Sequence, residues 1–128
     1  MMFEMTIRFA VTDIEKARSW YTIFLQKDPD FIPHAGFLEW EVVSGCWLQL
    51  AEKAETEYRN GPLRLGVRNL EAARERVIEK LDIQDFDIHM RSDVPVKWAT
   101  FPDPWGNQLG YYEYLDKEEE QNRINQLK

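Results

Sequence analysis

The stretch Thr6–Arg18, TIRFAVTDIEKAR, recurs at a constant offset as Pro62–Arg74, PLRLGVRNLEAAR. The two copies share an arginine, a valine, a glutamate and an Ala-Arg pair at matching positions, and Leu25 and Leu81 continue the match without a gap. Self-similarity at a fixed offset indicates a duplicated structural unit. The sequence therefore predicts two copies of one module.

Each copy predicts a strand followed by a helix. Ile7, Phe9 and Val11 alternate with polar or small residues, which is the period of a half-buried strand. Asp13 and Asn69 then stand where a helix N-cap accepts hydrogen bonds from free backbone N–H groups. The apolar residues that follow recur at helical spacing in both copies.

Further strands are expected after each helix. The segments Phe37–Val43 and Cys46–Ala51 flank Ser44-Gly45, which is a strong hairpin signal. In the second copy the strands are predicted at 87–90, 97–101 and 108–114, with a Pro- and Gly-containing turn at 103–107.

These elements predict an α+β fold of two repeated modules in a single domain of 128 residues. Module one spans about residues 3–52 and module two about 62–115. A polar connector at 53–61 joins them, and a charged tail follows at 116–128.

Composition limits the classes of function. A net charge of -7 argues against nucleic-acid binding, which needs clustered Lys and Arg. No apolar run is long enough for a membrane helix, and the N-terminal residues do not resemble a signal peptide. Cys46 is the only cysteine, so an internal disulfide is impossible. We expect a cytoplasmic protein without nucleic-acid or membrane partners.

Three motifs resemble the vicinal oxygen chelate superfamily, which includes glyoxalases, bleomycin-resistance proteins and extradiol dioxygenases. They are V-x-D-x-E-x-A-x-x-W-Y at Val11–Tyr21, W-L-Q-L at Trp47–Leu50 and, most specifically, F-x-D-P-x-G-N at Phe101–Asn107. The resemblance covers the chain to about Glu113. It implies two βαβββ modules whose open, curled mixed sheets surround a cavity, and a homodimer that completes this cavity.

The resemblance also implies four metal-ligand positions, which fall on Thr6, Gln49, Pro62 and Gly110. Thr, Pro and Gly side chains are not credible ligands, and Gln is a weak one. The two histidines, His34 in a loop-like stretch and His89 in a predicted strand, lack ligand spacing. The sequence therefore predicts no metal, no cofactor and no catalytic residue.

Period-two alternation selects the side chains that would line the cavity. Arg8 lies on the same face as Thr6, Arg64 repeats Arg8, Trp47 accompanies Gln49, and Tyr112 accompanies Gly110. The two arginines could hold a carboxylate or phosphate in a bidentate fork, or pair with carboxylates of the protein. Trp47 and Trp98 could stack on a flat or cationic ligand, or could simply pack.

The hairpin register leaves two alternatives. An even loop places Trp40 beside Gln49 in the cavity. A bulge at Gly45 shifts the register by one residue, which moves Glu39 and Glu41 into the cavity and Trp40 into the core. The second register is favoured because it collects the apolar residues on one face.

Two main hypotheses for function follow. The first is a metal-free protein that sequesters a small, cationic or aromatic molecule, as the bleomycin-resistance branch does. The alternative is a lyase, isomerase or dioxygenase-like enzyme that uses Glu39, Glu41 or Tyr112, or an atypical metal site. A partner-binding or regulatory module that uses an exposed sheet edge or the acidic tail at 118–120 is a third, weaker hypothesis.

Overall fold

The structure is a computed structural model that describes residues 1–56 and 60–127. The chain forms two compact units. Unit one comprises Met1–Asn60 and Pro104–Asn107, and unit two comprises Gly61–Asp103 and Gln108–Lys128. Of the predicted connector and tail, residues 57–59 and 128 lie outside the described residues. No helix in the described ranges is long and apolar enough to cross a membrane.

Unit one contains a helix packed on a four-stranded sheet. Its elements in chain order are β1 (Met5–Val11), α1 (Ile14–Leu25), β2 (Phe31–His34), β3 (Phe37–Val43) and β4 (Cys46–Glu52). The strand order is β1-β4-β3-β2, with β1 parallel to β4 and the other neighbours antiparallel. The short strand β2 was not predicted, because its residues Phe31–His34 are all exposed and show no alternation of burial.

The core of unit one lies between α1 and one face of the sheet. Phe9 on β1, Tyr21 on α1 and Trp40 on β3 are fully buried. The indole Nε1 of Trp40 donates to the Lys27 carbonyl at 2.9 Å, so its burial leaves no unpaired donor. Trp20, which helical spacing predicts to be a core residue, is only half-buried and lies 4.9 Å from the Tyr21 ring.

Unit two repeats this arrangement with a smaller sheet. Its elements are β5 (Leu63–Gly66), α2 (Leu70–Leu81), β6 (Val96–Pro102), β7 (Gln108–Tyr114) and α3 (Lys117–Asn125). The strand order is β5-β7-β6, with β5 parallel to β7 and β6 antiparallel to it. The strand predicted at 87–90 is reduced to one bridge between His89 and Trp98. The predicted α+β class with two strand–helix–strand modules and open sheets is confirmed.

Both predicted helix N-caps are confirmed. Asp13 Oδ1 accepts from the Lys16 N–H at 3.1 Å, and Asn69 Oδ1 accepts from the Ala72 N–H at 3.0 Å. Both cap residues have extended backbone, as this geometry requires.

A second pair of caps was not predicted from the sequence. Glu52 Oε2, at the end of β4, accepts from the Ile14 N–H at 2.8 Å, and Glu113 Oε1, on β7, accepts from the Leu70 N–H at 2.7 Å. These positions are equivalent in the two units, because Arg8 pairs with Gln49 three residues before Glu52, and Arg64 pairs with Gly110 three residues before Glu113. The duplication therefore preserves a carboxylate that fixes each helix to its sheet.

Glu113 is almost fully buried, at 7% exposed, and is surrounded by donors. Burial raises the pKa of Glu113, but the Lys117 ammonium, the Leu70 N–H and the Lys97 charge lower it more, so its pKa lies below the usual value. Lys97 Nζ lies 3.7 Å from Glu113 Oε1. The ionised form is therefore the form that the fold stabilises.

We predict that Glu113→Gln lowers the free energy of unfolding by about 1 kcal/mol at pH 7, because the amide keeps one acceptor but loses the charge. Since the folded-state pKa is depressed, the stabilisation is present above the unfolded pKa of about 4.3 and is lost as pH falls through the lower folded value. Urea unfolding at several pH values measures this. Glu118→Gln, on the exposed side of α3, is the matched control. If Glu113→Gln destabilised the protein as much at acidic pH as at pH 7, the prediction would be contradicted.

The Pro-x-Gly-Asn part of the turn motif, residues 104–107, has a structural role within unit one. Asn107, which is 1% exposed, donates from Nδ2 to the Ala10 carbonyl at 2.9 Å and accepts from Asn60 Nδ2 at 3.2 Å. Because β1 is an edge strand, one side of it offers backbone groups that no neighbouring strand can pair. Gly106 supplies the positive φ of 88° that the turn requires.

We predict that Asn107→Ala destabilises the protein by about 1–3 kcal/mol, because it leaves the Ala10 carbonyl without this donor. The measurement is the urea midpoint at constant slope. Asn122→Ala, at an exposed position of α3, controls for helix and solvent effects, and equal midpoints for the two variants would refute the assigned role.

Candidate functional site

The open face of the sheet in unit one carries a polar row across three strands. Arg8 on β1 pairs with Gln49 on β4, which pairs with Glu39 on β3. The Arg8 Nε donates to Gln49 Oε1 at 3.1 Å, and Gln49 Nε2 donates to Glu39 Oε2 at 2.8 Å. The three side chains therefore form one hydrogen-bonded chain on the face opposite α1.

The favoured hairpin register is confirmed. Glu39 and Glu41 pair with Gln49 and Trp47 on the open face, whereas Leu38 and Trp40 are buried. The predicted position of the bulge, at Gly45, is wrong. The register shifts between Glu41 and Val43, so the bulge lies at Val42 and not at Gly45. Gly45, with φ of 78°, instead completes the two-residue loop Ser44-Gly45. The Gly45 N–H donates to Glu41 Oε2 at 3.1 Å.

One end of this face is acidic and aromatic. Trp47 stacks on Phe31 with ring centroids 5.7 Å apart and planes inclined by 25°, and its Nε1 donates to Glu4 Oε2 at 2.9 Å. Thr6 pairs with Trp47 on β1 and is exposed. The indole thus has both a ring partner and a hydrogen-bond partner within unit one.

The other end is basic and contains a pocket of about 440 Å³. The Arg8 guanidinium carbon lies 5.0 Å from the centre of the Phe37 ring, and the His34 ring lies 5.1 Å from the same ring. His34 Nδ1 lies 2.9 Å from the Ala35 carbonyl, which can only accept, so Nδ1 carries the proton of this hydrogen bond. The pocket is lined by Arg8, His34, Ala35, Gly36, Phe37, Ala51, Glu52 and Lys53.

The open face of unit two has an arginine at the equivalent place. Arg64 pairs with Gly110, and its Nε and Nη2 donate to Thr100 Oγ1 at 3.2 and 3.0 Å. Beside it, Tyr112 pairs with Gly66 on one strand and with Trp98 on the other. Both repeat-related arginines therefore lie on an open sheet face and contact a neutral polar side chain.

The ten sequence-predicted site residues lie on these two faces. The face of unit one carries Thr6, Arg8, Glu39, Glu41, Trp47 and Gln49, and the face of unit two carries Arg64, Trp98, Gly110 and Tyr112. Their role as ligand contacts stays a prediction. Sequence reasoning did not single out Phe31, Phe37 and Lys53, and it set His34 aside for lack of metal-ligand spacing. Phe31 and His34 lie on β2, which gives no periodic signal, whereas Phe37 and Lys53 lie at the start of β3 and after β4.

The side chains at the four implied metal positions do not fit a divalent cation. The one oxygen of Gln49 that could coordinate a metal accepts from the Arg8 guanidinium. Thr6 is an exposed hydroxyl, and Pro62 and Gly110 have no donor atom. Within residues 1–56 and 60–127, no group of three or more His, Cys, Asp or Glu side chains could hold a metal ion.

Comparison with known proteins identifies the fold. No family model matches the sequence, and no curated protein matches it. The structure is similar to a glyoxalase/bleomycin resistance protein from Catenulispora acidiphila DSM 44928, with a TM-score of 0.71, 24% identity and coverage of 87% of this chain and 97% of that one.

Two other solved structures have the same fold. The fosfomycin resistance protein FosX from Listeria monocytogenes gives a TM-score of 0.70 at 14% identity, over 89% of this chain and 94% of that one. A glyoxalase/bleomycin resistance protein/dioxygenase from Nocardioides gives 0.66 at 19% identity, over 87% and 82%. The chain therefore has the glyoxalase/bleomycin-resistance fold, as the motifs predicted.

Gly110 is required by the close approach of β6 to β7. A Cβ at this position would lie 2.1 Å from the Ala99 carbonyl oxygen, which is backbone and cannot move aside. A Cβ at Gly66 would lie 3.1 Å from the phenol end of Tyr112, which can swing away.

We predict that Gly110→Ala destabilises the protein by about 2 kcal/mol or more, and that Gly66→Ala costs less than about 1 kcal/mol. Both substitutions remove the same backbone entropy from the unfolded chain, so their difference isolates the steric contact. Parallel chemical denaturation of the two variants measures it, and a reversed order would disprove the contact.

Proposed function

We propose that this chain is a metal-independent small-molecule-binding protein, and that a ligand lies on the open sheet face of one unit, either the face that carries Arg8 in unit one or the face that carries Arg64 in unit two. The observation that supports it most directly is the hydrogen bond from Arg8 to Gln49 Oε1. A guanidinium bound to the only candidate ligand atom of Gln49 repels a divalent cation, so the residue that resembles a metal ligand is committed to a cation of the protein itself.

The surroundings of this hydrogen bond support ligand binding. The face offers a stacked indole and phenyl pair, a planar guanidinium and carboxylates within one sheet. Ligand sites commonly combine aromatic walls with a few fixed polar groups. The carboxylates Glu39 and Glu41 each accept a hydrogen bond from a neighbouring donor, which favours a binding role over proton transfer.

The proposal includes a homodimer in the cytoplasm, because the resemblance of the sequence motifs to the superfamily implies a dimer that completes the cavity. Exposed apolar side chains at the start of β1 and the end of β3, namely Phe3, Met5 and Val43, adjoin the start of β4 and offer a contact area. Light scattering of the purified protein measures the assembly state, and a monomer at micromolar concentration would count against this part.

We predict that chelator-stripped protein shows no saturable rise in melting temperature with Ni²⁺, Zn²⁺, Mn²⁺, Fe²⁺ or Mg²⁺. A ligand of the native state at about a hundred times its Kd stabilises by about 2.7 kcal/mol, which shifts the melting temperature of a chain this small by several degrees. A small-molecule screen under the same conditions should yield such shifts with the recovered compound chemically unchanged.

Two outcomes would contradict the proposal. Saturable stabilisation by one metal would indicate a metal site formed by other residues. Turnover of a stabilising compound would indicate the alternative function, a lyase, isomerase or dioxygenase-like enzyme that uses Glu39, Glu41 or Tyr112.

A further inference from the structure

The basic end of the open face of unit one contains more hydrogen-bond donors than the protein uses. Within residues 1–56 and 60–127, the Arg8 guanidinium bonds only through Nε to Gln49, which leaves both Nη groups available. The Lys53 ammonium has no ion-pair partner in the same ranges. These two side chains and His34 line the same pocket of about 440 Å³.

Two of these groups are held in place before any ligand arrives. Arg8 is fixed by the hydrogen bond to Gln49 on one side and by the Phe37 ring at 5.0 Å. His34 is fixed by the Ala35 carbonyl and by the same ring at 5.1 Å. With Nδ1 donating to the carbonyl, Nε2 of the neutral ring can only accept a hydrogen bond, so His34 offers an acceptor for a hydroxyl or N–H of the ligand, and the donors for an anion are those of Arg8 and Lys53. Preorganisation of this kind reduces the entropy lost on binding.

The carboxylate in the pocket is already used for another purpose. Glu52 Oε2 accepts from the Ile14 N–H at the start of α1. Its charge is partly compensated there by the helix N-terminus. The pocket thus combines the cations Arg8 and Lys53 and the imidazole of His34 with one engaged carboxylate, in a chain whose net charge is -7.

We infer that this pocket recognises an anionic group, and that the ligand of the protein is a small molecule that carries a carboxylate or a phosphate. The two free Nη groups of Arg8 match the two oxygens of such a group, and Lys53 adds a second positive charge. This inference rests on the proposed function and names its ligand class. Of the alternatives that the sequence left open, it takes the carboxylate or phosphate held by an arginine and not the cationic ligand.

The test uses two anionic probes, benzoate and phenyl phosphate, and their neutral analogue benzamide, at constant ionic strength. Calorimetric titration of the whole protein should detect the anions and should give benzamide at least about tenfold weaker binding. Comparison of benzoate with phenyl phosphate separates the two sources of the anion. Chemical shifts of the amides of residues 34–37 and 52–53 should move on titration with the anion that binds.

Variants locate the site. Arg8→Gln should weaken anion binding about tenfold and Lys53→Met about threefold, because each removes one charge from an exposed pocket. Arg8→Lys keeps the charge but loses the planar fork, and should be nearly as weak as Arg8→Gln. Arg18→Gln, which removes the same charge from the exposed side of α1 and does not line the pocket, should bind as the unaltered protein does.

The melting temperature of each variant without ligand shows whether that variant is folded. If Arg8→Gln fails to fold, the amide chemical shifts of the folded Lys53→Met variant during anion titration test the pocket. Equal binding of benzamide, or unchanged affinity in Arg8→Gln, would overturn the inference. The inference would also be overturned if neither anion bound at concentrations up to about 10 mM while a cationic aromatic such as benzylammonium stabilised the protein. That result would leave the proposed function intact. Saturable metal binding would instead contradict the proposed function itself.

Discussion

The organisation of both units depends on a carboxylate that one strand presents to the first free N–H group of a helix. Glu52 holds Ile14 in unit one, and Glu113 holds Leu70 in unit two. Each bond joins the last strand of its unit to the helix that precedes it in the chain, so it fixes the helix to one face of the sheet. The favourable interaction of an anion with a helix N-terminus adds to the hydrogen bond. The other face is thereby left open.

The open faces differ in the two units although the duplication relates them. In unit one, Gln49 carries an amide that joins Arg8 to Glu39, and a pocket lies beside it. In unit two the equivalent residue is Gly110, and Arg64 reaches across it to Thr100. A side chain at this position of unit two would collide with the backbone of β6, so the strands there approach closely and the arginine lies over backbone. The duplicated scaffold therefore carries a row of bonded polar side chains on the open face of unit one, and a glycine in place of the central amide on the open face of unit two.

Much of this arrangement could be predicted from the residues alone. The repeat, the two N-caps Asp13 and Asn69 and the strands with clear alternation are local patterns, and each is found where it was expected. The hairpin register could also be predicted, because only one register places Leu38 and Trp40 on the same face as Leu48 and Leu50. Strand β2 and the single bridge at His89 could not, since edge segments with exposed side chains carry no periodic signal.

The sequence by itself determined the duplicated strand–helix–strand order, the caps and the faces on which the ten predicted residues lie, because these follow from the periods of strands and helices and from the short reach of capping side chains. Only the tertiary structure decided which distant groups meet. The pairing of Glu52 with Ile14, the bond from Arg8 to Gln49 and the placement of His34 and Lys53 in one pocket all join residues far apart in the chain. Such contacts depend on which distant strands pair and on how each helix docks on its sheet, and no local pattern encodes either.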